Sequence, residues 1–174
     1  MKAYLIKTNR ESRKLSNTLF PLIFEQETGK AISYENLPRN EHGKPQPIDD
    51  IYFNISHSGN YWCIVFSNSE CGIDIEMNRE LNARIARRIL CDDEMPINGD
   101  LLRNWVIKEA YVKMVGTGIG AGLASQSAAQ IIENNQATDL SSEEFICYAI
   151  GKDSVTEVVS LGWDGNKFHQ IGTD

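Results

Sequence analysis

Gly72-Ile73-Asp74-Ile75-Glu76 is the stretch on which the reading of this chain turns. Its strict alternation marks a short strand, with Ile73 and Ile75 on one face and both carboxylates on the other. It also opens a second run of elements. Upstream, residues 2–7 predict a strand and Arg13–Glu27 a helix, in which Pro21 is either a kink or a first-turn residue. Residues 36–50, with Pro38, Gly43, Pro45 and Pro47, predict an irregular loop. Ile51–Ile55 and Tyr61–Ser67 predict two strands, joined by a tight loop that holds Ser56, His57, Ser58, Gly59 and Asn60. Downstream, Asn82–Leu90 suits an amphipathic helix. Asp100–Val115 is the clearest helix, capped by Asp100, striped by Leu101, Leu102, Trp105, Val112 and Val115, and closed by Gly116-Thr117-Gly118. Ala128–Glu133, Glu144–Gly151 and Ser154–Leu161 predict three strands of an antiparallel sheet, with a frayed tail after Trp163. The expected class is α+β. Two similar halves, 1–70 and 71–174, are expected to meet near residue 70 in a pseudo-twofold arrangement, each an antiparallel sheet packed on helix.

A chain of 174 residues has room for a sizeable core, and 41% apolar with 24% charged residues describes an ordinary globular protein. Lys plus Arg is 17 against 24 Asp plus Glu, a formal charge of −7. That balance argues against a general nucleic-acid binder, but it leaves room for a local basic pocket for one small phosphorylated ligand. Apolar runs such as Tyr61–Phe66 fall far short of a bilayer span, and Met1–Lys7 is too short and too charged for a signal peptide, so a cytoplasmic protein is expected. Cys63, Cys71, Cys91 and Cys147 form no CxxC pair and read as free thiols.

Four features carry chemistry. Asp74 and Glu76 share a strand face, where two anions need a cation or proton between them; oxygen-only ligands suit Mg²⁺. The plainer alternative is an exposed acidic edge. Trp105, Glu109 and Lys113 follow at helical spacing, so Glu109 could complete a three-carboxylate set and Lys113 could meet a phosphate. A surface ion pair is the competing explanation, and the large aromatic on the same stripe speaks against it. Asn54-Ile55-Ser56-His57-Ser58 offers hydroxyl, imidazole and backbone donors to an anion, while the absence of Gly-x-Ser-x-Gly removes the nucleophile-elbow reading. Gly43-Lys44-Pro45 holds a lysine between a turn former and a stiffener. His42 and His169 suggest no role.

Taken in order, Gly43-Lys44-Pro45, Phe53-Asn54-Ile55-Ser56-His57-Ser58, Gly72-Ile73-Asp74-Ile75-Glu76 and Trp105-x-x-Lys108-Glu109-Ala110-x-x-Lys113 closely resemble the 4′-phosphopantetheinyl transferase superfamily. The first two elements point to its Sfp-type branch. The resemblance runs from about residue 40 to 118. It implies Mg²⁺-dependent transfer of the 4′-phosphopantetheine arm of coenzyme A to a serine of an acyl- or peptidyl-carrier protein, releasing adenosine 3′,5′-bisphosphate. It implies that Asp74, Glu76 and Glu109 hold Mg²⁺ on the pyrophosphate and that Lys113 contacts the pyrophosphate. Lys44, Ser56 and His57 would hold the nucleotide end, with Lys108 a lesser candidate. Glu109 or a metal-held water would accept the serine proton.

Three departures from the family pattern stand out. Val106 replaces a small or hydroxylated residue, and the interval from Asp74 to Trp105 is shorter than usual in that branch. The basic segment before the first long helix is largely missing, which leaves Arg13, or else Arg10 or Lys14, to take over phosphate contacts. Both motif sets lie in one chain, so a catalytic monomer is expected. Arg84, Arg87 and Arg88 form a basic cluster, read equally as a carrier-docking face or a solvated one. Two alternatives are a non-catalytic homologue that binds coenzyme A or a carrier, and a metal-dependent phosphohydrolase. The full set of Asp74, Glu76, Glu109 and Lys113 argues against the first, and the lack of further His and Asp ligands argues against the second.

Overall fold

Among the described residues, eight strands and four α-helices build two sheets with helices on their outer faces. The computed structural model describes residues 1–81, 83–118 and 123–171, apart from the side chains of Ala83 and Arg87. In chain order the elements are β1 (Lys2–Thr8), α1 (Ser16–Thr28), β2 (Tyr52–Ser58), β3 (Tyr61–Ser67), β4 (Cys71–Met77), α2 (Ala83–Ile89), α3 (Leu101–Val115), α4 (Ala128–Asn134), β5 (Gln136–Asp139), β6 (Phe145–Gly151), β7 (Glu157–Trp163) and β8 (Phe168–Gln170). One sheet runs β2-β3-β1-β7-β8 and the other β4-β6-β5.

Period-two alternation sorts the side chains into layers. Tyr4, Ile6, Trp62, Ile64 and Phe66 face α1, where they meet Leu19, Phe20, Ile23 and Phe24. Leu5, Cys63 and Val65, on the opposite face, meet Ile73, Ile75, Cys147 and Ala149 of the second sheet. The other face of that sheet, Ile146, Tyr148 and Ile150, packs on Leu102, Val106, Ile107 and Ala110 of α3 and on Ile131 of α4. Among the described residues no helix is long and apolar enough to cross a membrane. The four cysteines are free thiols.

The mixed α+β class holds, with mainly antiparallel sheets against helices, but several details differ from expectation. The strand β2 continues through Ser56, His57 and Ser58, and only Gly59 and Asn60 turn the hairpin, because Ser58 pairs with Tyr61. Ala128–Asn134 is a helix rather than a strand: Ser127 and Gln130 form a capping box, and Ala128 and Ile131 are buried one turn apart. The last predicted strand begins at Glu157 and leaves the C-terminal sheet. It pairs parallel with β1, from Lys2 opposite Glu157 to Thr8 opposite Trp163. A division at residue 70 therefore does not follow the sheets, and five strands stand against three. The tail past Trp163 adds β8 over Phe168–Gln170, and residues 172–174 lie outside the described ones. Pro21 lies inside α1, beyond its first turn. The core face of α3 is Leu102, Val106, Ile107 and Ala110, whereas Trp105 is only half-buried and Val115 is exposed. Asn82, at the start of the predicted second helix, lies outside the described residues.

Candidate active site

The strand β4 lies against α3 at very close range. A Cβ placed on Gly72 would sit 2.0 Å from the Ala110 carbonyl oxygen and 2.5 Å from the Met114 nitrogen, so only glycine admits the helix. Gly72, Asp74 and Glu76 share the strand face turned to α3. Glu109 and Lys113, one turn apart on α3, face them. Lys113 Nζ donates to Asp74 Oδ1 at 2.6 Å, to Ser56 Oγ at 2.8 Å and to the Ile73 carbonyl at 3.3 Å. Ser56 Oγ donates to Asp74 Oδ1 at 2.8 Å, and Ser58 Oγ to Glu76 Oε2 at 3.0 Å. The acidic pair is therefore not a free solvated edge, and Lys113 pairs across elements rather than along its own helix.

Electrostatics bind these groups together. Burial, then the negative charge of Asp74, pushes the Glu109 carboxyl up from 4.5 to about 7, with Lys113 opposing and Glu76 adding to the rise. Burial alone would lower the Lys113 pKa, but the neighbouring Asp74 carboxylate reverses the balance and raises it. Asp74 Oδ2 and Glu109 Oε1 are buried without a hydrogen-bond partner among the described residues. Buried carboxylate oxygens are costly unless something positive meets them. An all-oxygen donor set with two such orphans fits Mg²⁺. Among the described residues, no trio of His, Cys, Asp or Glu is already drawn together as a metal-binding group.

Beside these residues runs a cavity of about 350 Å³, lined by Glu109 and Lys113 at one side and by Tyr34, Arg39, His42 and Lys44 at the other. In a chain of net charge −7 this is a locally basic hollow. Its outer wall is anchored to the end of α3: Asn40 Nδ2 donates to the Gly116 carbonyl at 2.9 Å, and Lys44 Nζ donates to the Met114 carbonyl and to Glu70. Arg39 stacks over Tyr34, 4.7 Å from the ring centre, and donates to the Gly43 carbonyl. Neither Arg39 nor His42 was singled out in the sequence. The only cue for His42 is its place beside Gly43-Lys44-Pro45.

The remaining candidates divide. His57 alternates to the opposite face of β2 from Ser56. Partial desolvation and the charges of Lys113 and Arg13 lower its pKa, and Arg13 is exposed on the turn Ser12–Lys14. Lys108 is a correction. It is 1% exposed and points away from the carboxylates, to Glu94 Oε2 at 2.6 Å and to the Ile89 carbonyl. Glu94 also accepts from the Cys91 and Ala128 backbone N–H groups and from Asn104 Nδ2, each at 2.8 Å. This hub has no local sequence signature. Of the basic cluster on α2, Arg88 is exposed, and the Arg87 side chain lies outside the described residues.

Residues 70–159, which contain Asp74, Glu76, Glu109 and Lys113, match the family model described as ACPS, the 4′-phosphopantetheinyl transferase superfamily. The chain belongs to that superfamily. It is 37% identical over 99 residues to the 4′-phosphopantetheinyl transferase gsp of Aneurinibacillus migulanus, covering 51% of this chain and 42% of the relative. It is 35% identical over 111 residues to the 4′-phosphopantetheinyl transferase psf-1 of Bacillus pumilus, covering 56% and 46%. To the 4′-phosphopantetheinyl transferase Sfp of Bacillus subtilis (strain 168) it is 30% identical over 122 residues, covering 62% and 53%. The chain thus spans about half the length of the curated relatives it matches. The expected family membership stands.

Proposed function

We propose that this member of the superfamily transfers the 4′-phosphopantetheine arm of coenzyme A to a serine hydroxyl of an acyl- or peptidyl-carrier protein, acting as a Mg²⁺-dependent monomer in the cytoplasm. The observation that supports the reading is the strand face of Asp74 and Glu76 turned to Glu109 and Lys113 beside a basic cavity, with Asp74 Oδ2 and Glu109 Oε1 buried and unpartnered. Phosphoryl transfer asks for positioning and charge neutralisation rather than for a protein nucleophile. None is needed here.

Asp74, Glu76 and Glu109 would hold Mg²⁺, which supplies neutralisation of pyrophosphate charge. Lys113, kept cationic by Asp74, adds a second positive charge at the same place. Glu109 accepts the carrier serine proton. The serine oxygen bonds to the β-phosphorus, the bond from that phosphorus to the bridging oxygen breaks, and adenosine 3′,5′-bisphosphate leaves. Lys44, on the cavity wall, and Arg13 and His57 serve the nucleotide end. Ser56 and Lys108 are spent on contacts within the protein.

The test is mass spectrometry of a panel of apo carrier proteins incubated with the chain, coenzyme A and Mg²⁺. A carrier gains the mass of phosphopantetheine. No gain on any carrier, with coenzyme A still bound, would replace this reading by the non-catalytic one.

A further inference from the structure

One edge of β4 pairs with β6, and the other edge meets β2, with which it forms no backbone ladder. The strand's outward N–H groups are nevertheless satisfied. Ile73 N–H donates to Asn54 Oδ1 at 3.1 Å, Ile75 N–H to Ser56 Oγ at 3.4 Å, and Met77 N–H to Ser58 Oγ at 3.1 Å. Two strands in step, each advancing by two, place one short polar side chain against each free amide.

We propose that Asn54, Ser56 and Ser58 are positioning residues: a side-chain ladder that joins the two sheets in place of backbone pairing and aims the Asp74 and Glu76 carboxylates. The argument is one of donor and acceptor counting. A serine hydroxyl has one proton and two lone pairs. Ser56 Oγ takes donations from the Ile75 amide and from Lys113 Nζ at 2.8 Å, neither of which can accept. Both lone pairs are used, and the remaining proton goes to Asp74 Oδ1 at 2.8 Å. Ser58 takes the Met77 amide and gives its proton to Glu76 Oε2 at 3.0 Å. Fixing one oxygen of Asp74 in this way leaves Oδ2 as the buried unpartnered one. Outer hydrogen bonds of this kind orient metal-binding carboxylates and set their affinity. The backbone is thus wired to the carboxylates through the two hydroxyls, which a hydrophobic residue in the same strand could not do.

Ser58 is the residue to test, because it does not line the cavity and does not touch Lys113. The inference rests on the proposed use of Mg²⁺, so two readouts on the full chain separate the claims. Amide exchange at Met77 reports the ladder without metal. Calorimetric titration with Mg²⁺ alone reports carboxylate aim. Ser58→Ala is expected to lose protection at Met77 and to weaken Mg²⁺ binding roughly 10–100-fold, with the KM for coenzyme A unchanged at saturating Mg²⁺. Ser58→Thr, which keeps the hydroxyl, restores both. If Ser58→Ala does not fold, Ser58→Cys, a weak donor, replaces it with the same expectations. Wild-type Mg²⁺ affinity in a folded Ser58→Ala overturns the aiming role, and unchanged Met77 exchange overturns the ladder. A wild-type chain that binds no Mg²⁺, while Ser58→Ala still loses Met77 protection, supports the ladder and sinks the metal reading instead.

Discussion

In the proposed transfer Glu109 takes the serine proton, and its surroundings bear on how readily it does so. It sits on the inner side of α3 at 5% exposure, with Asp74 as its strongest charged neighbour, and both effects disfavour its anion. Glu109→Gln keeps the shape but can neither take a proton nor offer an anionic oxygen. Transfer is expected to fall by ~10²–10⁴-fold, with coenzyme A binding within a few-fold of wild type by calorimetry; full turnover in this variant would remove Glu109 as the base. Asp74, Glu76, Glu109 and Lys113 were legible as a set, because a strand period and a helix period each fix a face before any tertiary contact is known. Lys108 was misread on the same logic. Motif adjacency placed it next to Glu109, but the helix turns it about 100° away, to a partner supplied by a segment with no local periodicity. Ser56 and His57 show the complementary error: assigned to a loop they could act together, whereas in β2 they point to opposite faces.

Two elements depend on contacts that the chain gives little warning of. The docking of α3 on β4 needs Gly72, whose missing Cβ is the only thing that admits the Ala110 carbonyl. Gly72→Ala must push the helix outward and is expected to cost about 1–3 kcal/mol, read as a lower urea midpoint, with reduced transfer because Glu109 and Lys113 retreat from Asp74. The other end of α3 is tied by Glu94, which joins the segment before the helix, the helix itself and the start of α4. Burial would raise the Glu94 carboxyl, but Lys108 and the donors around it outweigh burial and hold it at about 2, well under its ordinary 4.5. A depressed folded-state value stabilises the fold above pH 4.5 and loses that contribution as pH falls toward 2. Denaturation followed across that window should show wild type losing stability on acidification, with Glu94→Gln less stable at neutral pH and flatter below it. An equal slope in both proteins would show that the hub does not govern acid stability. Neither dependence could be read from the chain alone, since both are tertiary. The helix α4 was missed for another reason: its apolar run is too short for periodicity to separate helix from strand, and the cap at Ser127 and Gln130 decides it.

The molecule as a whole is closed by its last long strand. The strand β7 lies beside β1 rather than beside β6, so the first sheet is completed by residues from the far end of the sequence. This could not be read locally, because nothing in Glu157–Trp163 distinguishes a strand that pairs with its sequence neighbour from one that crosses over. It bears directly on the division expected at residue 70. Without β7, β1 becomes an edge, and Leu161 and Trp163, at 7% and 4% exposure, vanish from the core under α1. Residues 1–153 would retain the carboxylates, Glu109, Lys113 and the Ser56–Ser58 ladder, yet the sheet that carries the ladder would have an open apolar flank. Expressed alone, 1–153 is expected to keep much of its far-UV circular dichroism, lose near-UV signal and cooperative unfolding, and bind a hydrophobic dye, the signature of a state with secondary structure but no fixed packing. It should not transfer phosphopantetheine. Adding a peptide of residues 154–174 should restore part of the near-UV signal if strand pairing with β1 is what was lost. A 1–153 chain that unfolds cooperatively with full activity would show that the site is built by the second sheet and α3 alone, and that the crossover strand is dispensable to it.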